Sequence, residues 1–566
     1  MRHPPKNVRG PSVGREVALV GALTAVGLLI RLWGLGRLGL VHFDEGIYAI
    51  AGLWSLSPRG LAGLDPVLIA YAPPGFPFLI GLAYSILGPG DVSAILVSIV
   101  TGTLTIPAAA WLARRTFGAG AGPPAATLAA LSGLHVAFSR MALTDVSFLL
   151  CWVVGLIVAQ RFVERPGAGS GIALGVAVGV AQLFKYSGWT LGAAVMLALP
   201  AVALGDEFRR TKAYQARAWG FGLLGVVVAL AIYAPWISFV ENHGGYRALM
   251  AHHGGYVGSV GSWLPHWRVQ LEELSALSGG FPWNLAGWLT ALSAAALMRL
   301  GSGSRPELAR LALLALVVGS GILAPTLLWW LGLAWLVAWE RSAAPGRRLL
   351  GVAWLGLSIL TPFYHPYARL WLPIQSLGWI AAAGLIAELL APREPVSEKV
   401  RARFSLVAAC CLAALAQGLA LMKTPSLAER GAGLLAPSDS LRRAVAASLA
   451  ELPEGASGLR VLARPPATFY VGGRAEARVE PDLEALLRDG SGRWALLDWA
   501  QLRQSSDAEE AAARLLEHWE KVGEQPTTLN LPTLLDIDPG AARIARPTDA
   551  DAPLWLLRRR GTGANR

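Results

Sequence analysis

The sequence predicts a polytopic α-helical membrane protein with a small α/β domain at its C-terminal end. Of the 566 residues, 54% are hydrophobic and only 15% are charged, and the mean hydropathy is +0.47. Soluble globular chains carry about 25% charged residues. Apolar runs near the ~20 residues that cross a bilayer as a helix recur along the chain, separated by short basic loops. After Lys423, charged residues become frequent and strand-like runs alternate with amphipathic stretches.

Basic residues orient the predicted helices. Arg2, Lys6, Arg9 and Arg15 precede the first apolar run, so residues 1–16 are expected in the cytoplasm. Alternation then gives about thirteen spans within a membrane domain of residues 17–424, and it leaves residues 425–566 on the extracytoplasmic side as an α/β domain. The predicted spans are 17–33, 91–113, 125–138, 146–163, 171–183, 187–204, 219–240, 283–300, 308–323, 327–339, 349–360, 370–390 and 404–422.

Residues 76–87 are apolar but short, and they form either an interfacial helix or the true second span. A span there would invert every later basic loop, which favours the interfacial helix. The basic N-terminal stretch precedes an apolar run that is too long for a signal peptide, so a retained first span is expected.

Composition also excludes several classes. The net charge of +12 comes from 49 Lys and Arg against 37 Asp and Glu, but the basic residues lie in loops between apolar runs and lack interleaved aromatic residues. Nucleic acid is therefore not an expected partner. Cys151, Cys410 and Cys411 all lie within apolar runs and show neither a disulfide framework nor zinc spacing.

Two acidic motifs fall in loops predicted on the outer side. The stretch LGLVHFDEGIYAIA places Asp44 and Glu45 directly after an apolar run. Because an ionised carboxylate is costly to bring near hydrocarbon, two of them here indicate a functional role. The alternative is an ordinary cap of the helix that begins near Gly46. The stretch SRMALTD offers Arg140 and Asp145, for which an ion pair or a helix cap is the alternative.

Two basic motifs are predicted on the same side. Lys185 lies within FKYSGW between two apolar runs, and YHPYARLWLP places His365, Tyr367 and Arg369 at the start of an inward-going helix. Either cation could snorkel to lipid headgroups, but Arg and Lys are also the side chains that bind phosphate, Arg with a planar fork.

A long outer loop contains a small repeat. His243-Gly-Gly-Tyr246 is echoed by His253-Gly-Gly-Tyr256. An interfacial aromatic belt and a sugar-stacking surface both fit these residues. Their spacing matches no standard zinc pattern, so the sequence assigns no certain cofactor and leaves a divalent metal ion open.

Together, the first-loop FDE element, the YAPPGFPFL stretch, the Arg140–Asp145 motif RMALTD and the Arg369–Pro373 motif RLWLP resemble one group of proteins. They are similar to bacterial membrane glycosyltransferases of the GT-C class, such as lipid A aminoarabinose transferase and the protein O-mannosyltransferases. The resemblance covers about residues 15–425. It implies a GT-C fold and a cell inner (plasma) membrane enzyme, which transfers sugar from a polyprenyl-phosphate donor to a lipid, glycan or protein acceptor on the extracytoplasmic side.

The resemblance also implies roles for residues. Asp44 corresponds to the catalytic carboxylate, and Asp145 matches the second acidic motif. RLWLP resembles the family segment RYLLP, whereas Tyr71-Ala72 stands where the aminoarabinose transferases carry Glu-Lys, so Lys185 or Arg369 is expected to supply the cation. The expected sets are catalytic Asp44, Glu45 and Asp145; donor phosphate-binding Lys185, Arg369, Tyr367 and His365; and acceptor- or sugar-binding His253, Tyr256 and Arg140.

The expected chemistry is direct displacement with inversion at the anomeric carbon. Asp44 takes the proton of the acceptor hydroxyl, Glu45 and Asp145 orient the acceptor or an ion, and the cations hold the lipid phosphate. A multi-span transporter or lipid flippase is the main alternative, although the polar groups gather in loops and no repeat relates the two halves. A membrane scaffold that binds a partner through its outer domain is the third.

Overall fold

The computed structural model describes residues 13–56, 72–203, 212–278, 344–389, 435, 437–454, 456–472, 478–479, 482–488, 492–502, 508–537 and 552–561. Its first part is helical. The helices, in chain order, are α1 (Val13–Leu32), α2 (Phe43–Leu56), α3 (Gly75–Leu87), α4 (Asp91–Phe117), α5 (Gly122–Leu131), α6 (Gly133–Ser139), α7 (Thr144–Glu164), α8 (Ala168–Phe184), α9 (Trp189–Ala203), α10 (Lys212–Asn242), α11 (Gly245–Gly254), α12 (Trp263–Ser278), α13 (Pro345–Leu360) and α14 (Leu372–Leu389).

Five helical stretches of the described residues are long and apolar enough to cross a membrane. They are Val13–Arg37, Asp91–Phe117, Thr144–Glu164, Lys212–Asn242 and Ala368–Ala387. Each overlaps a predicted span. The helix α3 has 13 residues, fewer than the ~20 that a span needs. The predicted spans 283–300, 308–323, 327–339 and 404–422 lie outside the described residues.

The third predicted span is wrong as a single helix. Residues 125–138 divide between α5 and α6, and the break lies at Ser132, which has extended backbone angles. The Ser132 hydroxyl accepts a hydrogen bond from the backbone N–H of His135 and so caps α6. The apolar run hides this break because both halves are buried, and burial favours apolar residues on either side of a break as it does within one helix.

Small residues bring α8 against α10. A Cβ atom at Gly171 would lie 2.5 Å from the carbonyl oxygen of Phe221, and one at Gly175 would lie 2.4 Å from that of Gly225. Only glycine permits this approach of two backbones, a common way for membrane helices to pack. The contact matters for the site because α8 ends at Phe184, immediately before Lys185.

The described residues from 437 onward form a five-stranded sheet with flanking helices, which we call the C-terminal unit. The sheet order is β2-β1-β3-β5-β4; β1 pairs in parallel with β2 and β3, whereas β5 pairs antiparallel with β3 and β4. Its elements are α15 (Ser440–Ala450), β1 (Leu459–Leu462), α16 (Pro465–Val471), β2 (Arg478–Val479), α17 (Leu483–Arg488), β3 (Trp494–Asp498), α18 (Trp499–Leu502), α19 (Ala508–His518), β4 (Trp519–Gln525), α20 (Leu531–Ile537) and β5 (Leu554–Arg559).

The C-terminal unit is hydrogen-bonded to the loop that precedes α2. The Gly39 amide donates to the Ser438 hydroxyl at 3.0 Å, and the Leu40 amide donates to the Tyr470 hydroxyl at 2.6 Å. The Arg464 guanidinium donates to the carbonyl oxygen of Val41 at 2.8 Å. Three successive loop residues are therefore positioned by a part of the chain about 400 residues away in sequence.

Gly46 lies where α2 contacts α16, and the contact leaves no room for a larger residue. A Cβ atom at Gly46 would lie 2.2 Å from the Pro466 nitrogen and 2.3 Å from the Pro465 carbonyl carbon, both backbone atoms. We expect Gly46→Ala to lower Tm because the overpacking cost, about 1–3 kcal/mol, exceeds the roughly 1 kcal/mol gained in helix propensity. Protease cleavage of the C-terminal unit should also accelerate.

Gly220→Ala is the matched control, since Gly220 lies within α10 and a Cβ atom there meets nothing within 4 Å. An unchanged Tm and protease resistance for Gly46→Ala would show that the two helices do not pack as described.

Candidate active site

The first turn of α2 carries the carboxylate pair. Glu45 is fully buried, and its carboxylate accepts hydrogen bonds from the amides of Val41 and His42, each at 2.8 Å, and of Ala142 at 2.7 Å. Glu45 thus caps its own helix and ties the first loop to the segment before α7. The structure does not place Glu45 in a cavity wall, so an orienting role toward the acceptor finds no support in its position.

Asp44 points the other way, and its side chain is 33% exposed. Its Oδ2 atom accepts a hydrogen bond from Arg369 Nη1 at 2.6 Å. Arg369 lies in a short 3₁₀ helix, Ala368–Trp371, directly before α14, and its guanidinium stacks 4.8 Å from the centre of the Tyr367 ring. The ring limits the positions open to the guanidinium and leaves its edge toward Asp44.

Asp145 and Lys185 form a second ion pair. Asp145 lies in the first turn of α7 with its side chain 2% exposed, and its Oδ1 atom accepts from Lys185 Nζ. Lys185 has extended backbone angles at the end of α8, before the short 3₁₀ helix Tyr186–Gly188, so the break between helices aims the lysine at α7. Arg369 Nη1 also lies 3.8 Å from Asp145 Oδ2, which brings both pairs into one cluster.

A third carboxylate of this cluster was not expected from the sequence. The pattern around Asp498, Asp536 and Asp538 favours solvated surface or turn residues, and for Asp498 and Asp536 this interpretation is wrong. Asp536 Oδ2 lies 2.9 Å from His42 Nε2 and 3.2 Å from Arg369 Nε. Asp498 is buried and pairs with Arg464 at 2.5 Å. Asp538 lies outside the described residues.

The cluster opens into a cavity of about 1280 Å³. This exceeds the roughly 300–1,000 Å³ of sites for drug-sized ligands. Charged groups occupy one part of its wall, and aromatic and aliphatic side chains occupy the rest. The charged and imidazole members of the wall are His42, Asp44, Asp145, Lys185, His252, His253, His365, Arg369, Arg464 and Asp536. The aliphatic members include Leu249, Met250, Val257, Leu357, Leu360 and Leu370.

The aromatic wall comes from two loops that pair with each other. The amide of His365 donates to the carbonyl oxygen of Tyr256 at 2.8 Å, and Val257 and Tyr364 form an isolated antiparallel bridge. The Tyr256 ring then lies 5.8 Å from that of Tyr364 and 6.2 Å from that of Tyr367. Flat aromatic faces of this kind suit the apolar faces of a sugar ring.

Two predicted histidines lie in this wall. His253 Nδ1 lies 3.2 Å from the Tyr364 hydroxyl, and the His365 ring lies 4.4 Å from the centre of the Tyr367 ring. Burial lowers the pKa of His253, with the neighbouring His252 acting in the same direction, and burial also lowers the pKa of His365. Both rings are therefore neutral at pH 7 and serve as hydrogen-bonding groups more than as charges toward a phosphate.

The structure does not bring Arg140 into the cavity. Its guanidinium Nη1 donates to the carbonyl oxygens of Arg31 at 3.0 Å and of Trp33 at 2.5 Å, at the end of α1. The ion pair with Asp145, which the sequence left open as an alternative, is absent from the contacts of the described residues, because Lys185 and Arg369 contact that carboxylate. Arg140 instead caps the last carbonyls of α1.

Charge and burial act in opposite directions on Asp44. Burial has the largest single effect and raises the pKa of its carboxyl, but Arg369, His42 and Lys185 together outweigh burial and hold the pKa below the ordinary value. Asp44 is therefore an ionised carboxylate at neutral pH, partly exposed to the cavity and able to accept a proton. In the part of the chain that the structure describes, no three His, Cys, Asp or Glu side chains are grouped to hold a metal ion.

Comparison with known proteins places this geometry in context. Residues 71–239 match the family model for dolichyl-phosphate-mannose-protein mannosyltransferase. ArnT from Cupriavidus metallidurans in the apo state superimposes with a TM-score of 0.57 at 16% identity, over 96% of this chain and 98% of that chain. ArnT from the same organism bound to undecaprenyl phosphate gives a TM-score of 0.55 at 16% identity and equal coverage.

The Archaeoglobus fulgidus oligosaccharyltransferase, tethered to an acceptor peptide, superimposes with a TM-score of 0.54 at 12% identity, over 90% of this chain and 72% of that chain. The chain has the fold of the GT-C glycosyltransferases. The resemblance seen in the sequence motifs is confirmed, and the two ArnT superpositions each cover 96% of this chain. A search of the curated proteins found no match.

Proposed function

We propose that the protein is a membrane glycosyltransferase that moves a sugar from a polyprenyl-phosphate carrier to an acceptor hydroxyl by inverting displacement. The observation that carries the proposal is the cavity, where three carboxylates, Lys185 and Arg369 lie beside an aromatic and aliphatic wall. The GT-C fold and the undecaprenyl phosphate bound to the ArnT neighbour support this choice of donor. The active site is expected at the extracytoplasmic face of the inner membrane.

The cations have free capacity for a phosphate. Arg369 uses Nη1 for Asp44 and Nε for Asp536, and among the described residues Nη2 has no hydrogen bond. Lys185 commits one of its three ammonium hydrogens to Asp145. A donor phosphodiester carries one negative charge, and the phosphomonoester that leaves carries up to two. Negative charge builds up on the phosphate as its bond to the anomeric carbon breaks, so Arg369 and Lys185 stabilise the transition state more than the ground state, as catalysis requires.

Asp44 completes the reaction. The acceptor oxygen attacks the anomeric carbon, the bond from that carbon to the phosphate oxygen breaks, and its electron pair leaves with the lipid phosphate. The hydroxyl proton passes to the Asp44 carboxylate. Asp145 adds negative charge beside an anomeric carbon that gains positive character in the transition state. Tyr256, Tyr367, His253 and His365 line the space for the sugar and acceptor.

The test uses purified protein in lipid nanodiscs with a panel of polyprenyl-phosphate sugars and a crude envelope fraction as acceptor. We expect release of free polyprenyl phosphate from one donor, and that donor identifies the sugar. The rival class, a transporter or flippase, would move the donor intact across proteoliposome membranes. Intact translocation with no release from any donor would contradict the proposal.

Lys185 gives a separate prediction about donor affinity. We expect Lys185→Gln to raise the donor KM roughly tenfold or more, because a hydrogen bond to a charged group contributes about 1.5–3 kcal/mol. Steady-state release assays at varied donor concentration measure the change. Lys212→Gln, which alters an exposed lysine at the start of α10, is the matched control and should leave KM unchanged. Equal KM values for the two variants would remove Lys185 from the phosphate site.

A further inference from the structure

We propose that Asp536 of the C-terminal unit is a positioning residue of the transfer site, which holds Arg369 and His42 in their working geometry. The inference rests on the proposed function and assigns part of the site to a second region of the chain. Asp536 Oδ2 lies 2.9 Å from His42 Nε2 and 3.2 Å from Arg369 Nε. One carboxylate oxygen thus joins the loop before α2, the segment before α14 and the helix α20.

The hydrogen bonds around His42 define its tautomer. The backbone N–H of Asp44 donates to His42 Nδ1 at 3.0 Å, so Nδ1 is the acceptor. Nε2 therefore carries the proton and donates it to Asp536 Oδ2. This chain of bonds runs from Asp536 through the imidazole to the backbone of Asp44. Asp536 consequently fixes the start of α2, which presents the base, as well as the guanidinium that pairs with it.

A contribution to folding stability does not explain the Asp536 carboxylate. The Asp536 side chain is 4% exposed, and its Oδ1 atom is buried with no hydrogen-bond partner among the described residues. An unsatisfied buried carboxylate oxygen lowers stability. Its neighbours Leu534 and Leu535 are both buried, so an apolar side chain would suit the packing of α20. Polar groups retained at such a cost are found mainly at functional sites.

Attachment of the C-terminal unit to the same loop makes the arrangement rigid. Arg464 donates to the Val41 carbonyl at 2.8 Å, one residue before His42, and Arg464 is itself held by Asp498. The first-loop backbone and the Asp536 carboxylate therefore move together with the C-terminal unit. Sugar transfer then depends on the packing of the C-terminal unit against the membrane helices. Asp536 is the contact through which the position of that unit affects the geometry of the reacting groups.

The experiment compares Asp536→Asn and Asp536→Glu with wild type in nanodiscs, with kcat and donor KM for polyprenyl phosphate release as readouts. We expect Asp536→Asn to lower kcat about tenfold or more, because misplacement by ~1 Å is that costly. Donor KM should not rise, since removing a negative charge beside Arg369 does not weaken its attraction for phosphate. Asp536→Glu should recover part of kcat. Asp439→Asn, the same change at a carboxylate held by Arg442 and Arg443, is the control.

The outcomes separate the inference from the proposed function. Release by wild type with an unchanged kcat for Asp536→Asn would overturn the inference and leave the function standing. Parallel loss of kcat and donor affinity, with no recovery in Asp536→Glu, would assign Asp536 to structure alone and also overturn it. If only Asp536→Asn fails to fold, a reduced kcat at wild-type KM in Asp536→Glu supports the inference, and a wild-type kcat overturns it. If neither variant folds, Asp536 is required for folding, and the inference is overturned. Absence of release by wild type would overturn both proposals.

Discussion

Replacement of Asp44 by Asn is expected to reduce sugar transfer at least about 100-fold while donor binding persists. General base catalysis by a positioned side chain contributes roughly 10²–10⁴ in rate, and the amide of Asn cannot accept the proton at neutral pH. Asp44 is the carboxylate of the cluster with the most exposure to the cavity, at 33%. Single-turnover release of polyprenyl phosphate, measured at saturating donor, isolates the chemical step from binding.

Donor binding should be retained in Asp44→Asn because Arg369, freed from its partner at 2.6 Å, gains capacity for the phosphate. Asp482→Asn is the matched control, since Asp482 lies in the C-terminal unit and caps the exposed Ala485 amide. Near-normal single-turnover release by Asp44→Asn would mean that another group, or water alone, removes the proton.

The second large effect is expected at Arg369. Its guanidinium lies 2.6 Å from Asp44, 3.8 Å from Asp145 and 3.2 Å from Asp536. Arg369→Gln leaves three carboxylates with one remaining cation, and breaking a buried ion pair costs about 3–5 kcal/mol. We expect a lower Tm, loss of donor binding and no measurable release. Donor binding by fluorescence or calorimetry and thermal unfolding in nanodiscs measure these effects.

Arg369→Lys separates the effect of the positive charge from that of the planar guanidinium geometry. Lysine keeps the positive charge but lacks the planar fork that contacts Asp44 and Asp536 at once. We expect donor binding to return in part and kcat to stay low. Arg443→Gln, at an exposed arginine that pairs with Asp439, is the control and should resemble wild type. Wild-type kcat in Arg369→Lys would show that only the charge matters and that the fork does not orient the reacting groups.

The local pattern of apolar and charged residues was enough to predict the helices that carry the two ion pairs. Apolar runs near bilayer length predicted α7 (Thr144–Glu164) and α14 (Leu372–Leu389), because lipid offers the backbone no hydrogen-bond partners and so favours a helix. Charged residues at the ends of those runs stand out against an apolar background. Asp44, Asp145, Lys185 and Arg369 were therefore identified as a group from sequence, and the structure places all four in one cavity. Their roles in transfer remain predictions.

Local pattern failed where a residue's partner is distant or where a break is apolar. The α5–α6 break at Ser132 leaves hydrophobicity unchanged, so a window average cannot detect it. Glu45 beside Asp44 suggested a second carboxylate that faces the site, but helix geometry points successive side chains about 100° apart. One faces the cavity and the other faces three backbone amides.

By itself, the sequence determined a chain of apolar helices with charged groups at helix ends, because hydrophobic length and charge are properties of each segment alone. The tertiary structure decided which of those charges meet. His42 and Asp536 are 494 residues apart, and nothing in the surroundings of Asp536 in the sequence distinguishes it from a surface aspartate. Its place between His42 and Arg369 exists only because the C-terminal unit packs on α2, where glycine at position 46 permits the contact. Pairing across such a distance depends on packing between units, which no local stretch of residues encodes.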